Sequence, residues 1–328
     1  MRGPKDYFFL FLKGLAMGSA DIVPGVSGGT IAFITGIYEE LINSIKDINL
    51  NTFKLLFRLK LKDFFAAINW RFLVPVFVGI LVSLFSLVRL VTFLLKEHPI
   101  LIWSFFFGLI IISAIIVLRE VRKWHIGVVL MIVLGAAIAY GITILSPSDT
   151  PNNLVFVFFS GALAICAMIL PGISGAFILL ILGKYEYITQ SLSDFIKSVL
   201  ELDFNAVFAK LGVILTFVLG CLVGLLSFSR LISFILKKYH DLTVALLSGF
   251  MIGSLNKVWP WKEVTDFRID SHGNQVPKFD RSVSPNDYLE ITGNDPQVLQ
   301  ALLLASFGIV MVLAIDRIAA YGRIKKHQ

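Results

Sequence analysis

The chain has 328 residues, of which 57% are apolar and only 16% charged. A water-soluble domain of that length needs more polar surface, so lipid is the solvent that fits this composition. Lys and Arg outnumber Asp and Glu by 29 to 22. In a membrane protein that excess belongs to cytoplasmic loops and anionic headgroups, and it argues against nucleic acid as a partner.

In chain order, the first apolar region, Tyr7–Ile45, is two short stretches broken by Pro24-Gly25-Val26-Ser27-Gly28-Gly29-Thr30. Its opening stretch holds Lys13 and leads into Asp21 with no small-residue cleavage site, so no cleavable signal peptide is expected. Crossing a hydrocarbon core takes about 20 helical residues, and neither arm supplies them comfortably. A helical hairpin that enters the membrane and returns is expected over 7–45. Irregular backbone at that depth is tolerated only where protein buries it or a cavity lies beside it. Three spans follow, at Phe72–Leu95, Ile100–Leu118 and Ile126–Leu145. A second broken region, Leu154–Leu192, turns at Pro171-Gly172-Ile173-Ser174-Gly175-Ala176-Phe177, and spans at Leu211–Leu236, Leu242–Val258 and Gln297–Ile315 complete the set. Asp295 and Pro296 read as the N-cap and first residue of the last span. Segment 259–295 is the one soluble stretch. Its Trp259 and Trp261 suit a membrane-interface belt, and Asp270–Asn274 reads as the tip of a turn. Cys166 and Cys221 lie in apolar runs and read as small packing residues.

An internal repeat organises these elements. Displaced by 147 residues, Pro24, Gly25, Ser27, Gly28, Ile31, Ile34, Gly36, Tyr38 and Glu39 fall on identical residues at Pro171, Gly172, Ser174, Gly175, Ile178, Ile181, Gly183, Tyr185 and Glu186. At a displacement of 141, the run from Gly79 to Lys96, which includes Ser86 and Arg89, matches the run from Gly220 to Lys237, which includes Ser227 and Arg230. Shared hydrophobicity does not reproduce Pro, Ser, Arg, Tyr and Glu in order. The expected architecture is therefore an all-α polytopic membrane protein of two repeats, 1–145 and 146–328, each a re-entrant hairpin plus three spans. An odd number of crossings per half makes the repeats inverted, as in secondary transporters with a midplane site. With both termini cytoplasmic, the inner side receives Arg2, Lys5, Lys46, Lys54, Arg58, Lys60, Lys62, Arg71, Arg119, Arg122, Lys123, Lys237, Lys238 and the basic tail, while the short outer loop 146–153 has no Lys or Arg.

Charges at membrane depth are the first functional candidates. In each Pro-Gly loop, Pro24 and Gly25, or Pro171 and Gly172, let the chain turn, and Ser27 or Ser174 can cap the helix that follows. The first-turn N–H groups at Ser27, Gly28, Gly29 and Thr30, and at Ser174 and Gly175, have no intrahelical acceptor and sit at the positive end of the helix dipole. Aimed at a cavity, they form an anion seat; the bland alternative is a structural turn. Arg89 and Arg230 occupy matching positions, where either the guanidinium fork binds phosphate or the side chain snorkels to the headgroups. Glu39 and Glu186 follow the hairpins as coupling, gating or merely interfacial carboxylates. Lys184 lies close enough to Glu186 for a local charge pair. Asp21 has no counterpart, because position 168 is Met, and Thr30 faces Phe177, so the site is chemically asymmetric.

The run Gly18-Ser19-Ala20-Asp21-Ile22-Val23-Pro24-Gly25-Val26-Ser27-Gly28-Gly29-Thr30, followed by Gly36-Ile37-Tyr38-Glu39, resembles the pattern of the PopT-type polyprenyl-phosphate transporter family of bacteria. The resemblance extends over nearly the whole chain. It implies recycling of undecaprenyl phosphate, the carrier lipid of cell-wall polymers, from the outer to the cytoplasmic leaflet of the bacterial inner membrane. It implies a lipid partner and no cofactor. A transporter of small soluble anions would carry nearly the same features. An intramembrane enzyme is disfavoured, since His98, His125, His240, His272 and His327 fall in loops, at span ends or in the tail, with no metal-ligand cluster and no nucleophile beside a base. A scaffold has no need of broken backbone inside a membrane.

Overall fold

The computed structural model of the chain describes residues 2–23, 26–145, 150–201, 203–269 and 275–324. The first region forms α1 (Pro4–Asp21), the short α2 (Gly28–Ile34) and α3 (Tyr38–Lys46), joined by a left-handed Gly36 at φ 70°. Next come α4 (Leu50–Phe57), α5 (Leu61–Ala67), α6 (Trp70–Ser86), α7 (Val88–Glu97), α8 (Pro99–Leu118) and α9 (Ile126–Thr143). The second broken region forms α10 (Leu154–Ile169), α11 (Gly175–Ile181) and α12 (Tyr185–Leu200), with left-handed Gly172 and Gly183. Then follow α13 (Phe204–Lys238), α14 (His240–Ser254), strands β1 (Lys262–Ile269) and β2 (Gln275–Ser282), α15 (Pro285–Thr292) and α16 (Val298–Ile324).

Among the described residues, four helices are long and apolar enough to cross a membrane, within α8, α9, α13 and α16, and α5–α6 adds a fifth if that pair, bent by 70°, is one span. Large apolar side chains such as Phe77, Phe85, Leu215 and Phe307 point outward from these helices. Water would not tolerate such a surface, but a bilayer does. The chain is a multi-pass membrane protein.

The structure differs from the sequence reading in the span expected over 72–95 and at the start of the last span. The span expected over 72–95 is two helices that meet at Leu87, so Arg89 lies on α7 and not on the long helix α6. In the last span, Gln297 adopts a left-handed conformation (φ 49°) and the helix starts at Val298. Asp295 accepts a bond from the Gln297 N–H at 2.9 Å but stands two positions ahead of the residue that precedes the helix, so it is not the N-cap expected of it. The fold is all-α as expected, apart from a β-hairpin in the soluble segment. The expected turn tip at Asp270–Asn274 lies outside the described residues, but the strands flanking it pair antiparallel, Lys262 with Ser282 through Ile269 with Gln275.

Glycines set the close helix crossings. A Cβ at Gly14 of α1 would lie 2.1 Å from the Val76 carbonyl oxygen of α6, and one at Gly79 would lie 2.2 Å from that of Phe11. In α10 and α13, a Cβ at Gly161 would lie 2.5 Å from the Phe217 oxygen, and one at Gly220 would lie 2.1 Å from that of Phe158. These are the same positions displaced by 147 in α1 and α10 and by 141 in α6 and α13. The pairs α8–α16 and α9–α14 behave alike. Gly108 meets the Ala305 oxygen and Gly308 that of Phe105, while Gly249 meets the Ile132 oxygen and Gly135 that of Leu246. Without a hydrophobic force between helices in lipid, such small-residue seams let backbones approach and gain dispersion contact. The central α14 is only 15 residues long, and most of it is buried.

Candidate functional site

The two Pro-Gly loops meet at the centre of the molecule. Pro24 and Gly25 lie outside the described residues, but the loop that follows them is well placed. Val23, Val26, Ser27 and Thr30 are fully buried. Ser27 caps α2 as expected, accepting from the Gly29 N–H at 3.1 Å. Its hydroxyl also reaches the other loop, with the carbonyls of Met168 and Leu170 at 3.1 and 3.0 Å as acceptors. In return the Gly172 N–H donates to Thr30 Oγ1 at 3.0 Å. Residues some 140 positions apart thus satisfy one another's polar groups inside an apolar protein, where an unmade bond costs about 1–3 kcal/mol.

Glycine is required at two of these positions because atoms stand where a Cβ would go. At Gly29 the Ile169 carbonyl oxygen would be 2.6 Å away. At Gly172 the backbone of Met251 in α14 would be 2.8 Å away, and φ is +84° as well.

Asp21 ends α1 and turns its carboxyl onto the start of α2, where Oδ1 accepts from the Gly28 N–H at 2.7 Å. The Gly28 N–H expected to receive an anionic ligand thus already holds the protein's own acid. The second loop differs. Ser174 is buried at the N-cap of α11 but makes no side-chain capping bond. A Cβ at Gly175 would lie 2.5 Å from the Ala164 carbonyl oxygen of α10.

The arginines stand elsewhere. Arg89 is exposed on α7, and Arg230 is exposed on α13 with its guanidinium donating to the Ile48 carbonyl at 3.3 Å. Among the described residues, no hydrogen bond or ion pair joins either one to the loops. Arg230 lies one turn from a polar cleft of about 210 Å³ lined by Glu39, Asn43, Arg122, Ser233, Lys237 and His240. There Glu39 sits 3.9 Å from His240 Nε2, and Ser233 donates to Asn43 at 2.9 Å. Glu186 opens α12, where a carboxylate suits the helix dipole. Lys184 is fully buried and donates to the Thr150 carbonyl and to Asn152 Oδ1, both at 2.6 Å. Lys13 likewise donates to the Thr35 carbonyl at 2.7 Å, at the C-terminal end of α2. Both ammonium groups sit where the negative end of a short helix or an irregular loop offers oxygen.

The soluble segment holds what the sequence did not disclose. Trp261 is buried and donates to the Pro296 carbonyl, and Trp259 donates to that of Val283, both at 2.8 Å. The two rings, 5.5 Å apart, help pin the β-hairpin to the helices. Beneath them, Lys257 and Lys262 share the carboxylate of Asp280. A lone Lys or Asp in a loop of mixed charge gives no sign of this. Only the pairing of β1 with β2 brings them together.

A family model described as undecaprenyl phosphate translocase-like matches residues 17–276. The chain is 44% identical over 314 residues to a protein of Vibrio cholerae named polyprenyl-phosphate transporter, covering 96% of this chain and 97% of that one. It is 34% identical over 262 residues to a Staphylococcus aureus protein of the same name, covering 76% and 85%. No solved structure matches. With its paired loops and its apolar exterior on view, the chain belongs to the undecaprenyl phosphate translocase-like family of membrane proteins.

Proposed function

We propose that the chain carries a polyprenyl phosphate, undecaprenyl phosphate foremost, from the outer to the cytoplasmic leaflet of a bacterial inner membrane by alternating access. It acts as a transporter rather than an enzyme. The observation that carries this reading is the meeting of the two Pro-Gly loops, which buries Ser27 and Thr30 within an apolar protein, beside the half-buried Asp21 carboxyl. Polar groups at that depth are costly and are kept for a substrate path. The names of the Vibrio cholerae and Staphylococcus aureus relatives supply the chemical class of that substrate.

The architecture in this reading is two inverted repeats with both termini cytoplasmic, each hairpin re-entering from its own face. Support comes from the glycine crossings, which recur at the repeat's displacements in α1–α6 and α10–α13, and from the reciprocal pairs α8–α16 and α9–α14. The seat for the phosphate is the loop pair, with Ser27, Gly28, Gly29 and Thr30 on one side and Ser174 and Gly175 on the other. Asp21 holds the Gly28 N–H until the phosphate displaces it, so that the group never faces hydrocarbon unmade. Arg89 and Arg230 meet the headgroup nearer the two surfaces, and Glu39 and Glu186 gate the passage. The prenyl tail stays in lipid and slides between helices as the halves rock.

Binding to the purified protein tests this. Polyprenyl phosphate is expected to bind without competition from millimolar inorganic phosphate. Ser27→Ala should weaken it at least about tenfold, the cost of a charge-assisted bond. Arg89→Ala and Arg230→Ala should weaken it less, because exposed guanidinium groups are screened. Binding of inorganic phosphate in place of the lipid would turn the reading to a soluble-anion transporter.

A further inference from the structure

The β-hairpin carries a charge cluster that the loop site does not use. Asp280 on β2 faces Val264 across the ladder and lies diagonal to Lys262 on β1, the geometry in which long side chains on one face meet. Lys262 Nζ lies 3.3 Å from Asp280 Oδ2 and donates to the Lys257 carbonyl at 2.6 Å. Lys257 Nζ lies 3.0 Å from Asp280 Oδ1. All three side chains are largely buried. Among the described residues, two ammonium groups thus share one carboxylate, an excess of one positive charge in a largely buried cluster. Burial of one unbalanced charge is costly unless a counter-ion visits.

The walls of the cluster are aromatic. Lys262 Nζ stands 5.1 Å from the Trp103 ring of α8, and Lys257 Nζ 4.8 Å from the Phe177 ring of α11. Phe177 is in the first turn of the helix that follows the second Pro-Gly loop, so the cluster abuts the loop site directly.

We propose that Lys257 and Lys262 form a receiving site for a phosphomonoester headgroup, with Asp280 as the resident anion that the headgroup displaces. This rests on the transport reading above and adds its outer station. The headgroup neutralises both lysines, the aromatic walls accept the first apolar units of its tail, and α11 lies next along the path. Burial, and after it the Lys257 charge, pushes Lys262 down to about 8, with Asp280 opposing. Burial pushes Asp280 up, but the charges of Lys262 and Lys257 outweigh it and hold this acid below its ordinary value. Among the described residues, the charged groups facing Lys262 are Lys257 and Asp280, while α8 and α11 present the Trp103 and Phe177 rings. Glu263 is engaged by Arg281 at 2.6 Å. Lys262 must be protonated to hold a phosphate, so binding should weaken as pH rises through about 8.

The test uses the full chain in lipid nanodiscs, with a polyprenyl monophosphate and inorganic phosphate as probes. Lys257→Gln and Lys262→Gln are expected to weaken lipid binding at least about tenfold. Asp280→Asn removes the competitor and should tighten it, a gain that damage to the fold does not produce. Lysine variants and Asp280→Asn that bind the lipid like wild type would overturn the receiving site and leave the transport reading intact. Inorganic phosphate bound through the lysines, with no lipid bound, would keep the pair as a phosphate site and remove the lipid from it. Wild type that binds neither probe would overturn both readings.

Discussion

Gly172→Val is expected to lower transport at least about 30-fold. Position 172 has φ +84°, which costs a side-chain-bearing residue about 1–2 kcal/mol. The new Cβ would also stand 2.8 Å from the Met251 backbone in α14, and overpacking of that kind costs about 1–3 kcal/mol more. Backbone cannot rotate away as a side-chain end can, so either the loop or α14 must move. A movement of the loop breaks the Gly172–Thr30 bond. The sum, about 2–5 kcal/mol, reduces the population of the seated loop by roughly 30-fold or more at ~1.4 kcal/mol per decade. Gly293→Ala is the control. Its φ is +68°, but nothing lies within 4 Å of the new Cβ, so only the conformational cost of about 1 kcal/mol remains. Transport rates of the two variants in vesicles, normalised to folded protein, check this. Similar rates would mean that the loop crossing is not the working part.

The second large effect is expected at Asp21. Asp21→Asn keeps the shape of the side chain, and its amide oxygen can still accept from the Gly28 N–H. The bond to the Gly28 N–H loses at most its charge assistance, about 1 kcal/mol. A purely structural cap therefore predicts near-normal transport. The exchange of acid for phosphate predicts otherwise. Without its charge, the resident group no longer competes effectively with bound phosphate, so release slows. Lipid binding should be equal to or tighter than wild type while turnover falls at least about tenfold, a decade for each ~1.4 kcal/mol of lost competition. Wild-type turnover in a folded Asp21→Asn protein would reduce Asp21 to a cap.

These two residues also mark what the sequence makes legible. Broken backbone announces itself, because Pro, Gly and a capping Ser interrupt an apolar run, and Ser27 caps α2 as those residue types require. Chemistry between distant segments does not. Nothing local to Ser27 says that its hydroxyl meets the carbonyls of Met168 and Leu170, since that contact is set by how α1 and α10 seat on α6 and α13. Asp21 reads as an asymmetry in the repeat, but its place on Gly28 depends on the tight turn between α1 and α2. The helix break at Leu87 has no Pro or Gly to mark it, so 72–95 reads as one span and Arg89 is taken to lie on it. Trp259 and Trp261 carry the composition of an interface belt, and nothing local to them says that their N–H groups donate to the carbonyls of Val283 and Pro296. The lysine pair escapes notice for a similar reason. Lys257 and Lys262 are five residues apart and Asp280 is on the returning strand, so only the β1–β2 register brings the three charges together.

The measurement that bears most directly on the central claim is transbilayer movement of a polyprenyl phosphate in vesicles reconstituted with the full chain. The lipid is placed in one leaflet and its headgroup is followed in the other. The account predicts movement that scales with protein content, is unaffected by millimolar inorganic phosphate and is lost with Gly172→Val. Movement no faster than in protein-free vesicles, with the protein folded and inorganic phosphate carried instead, would contradict it.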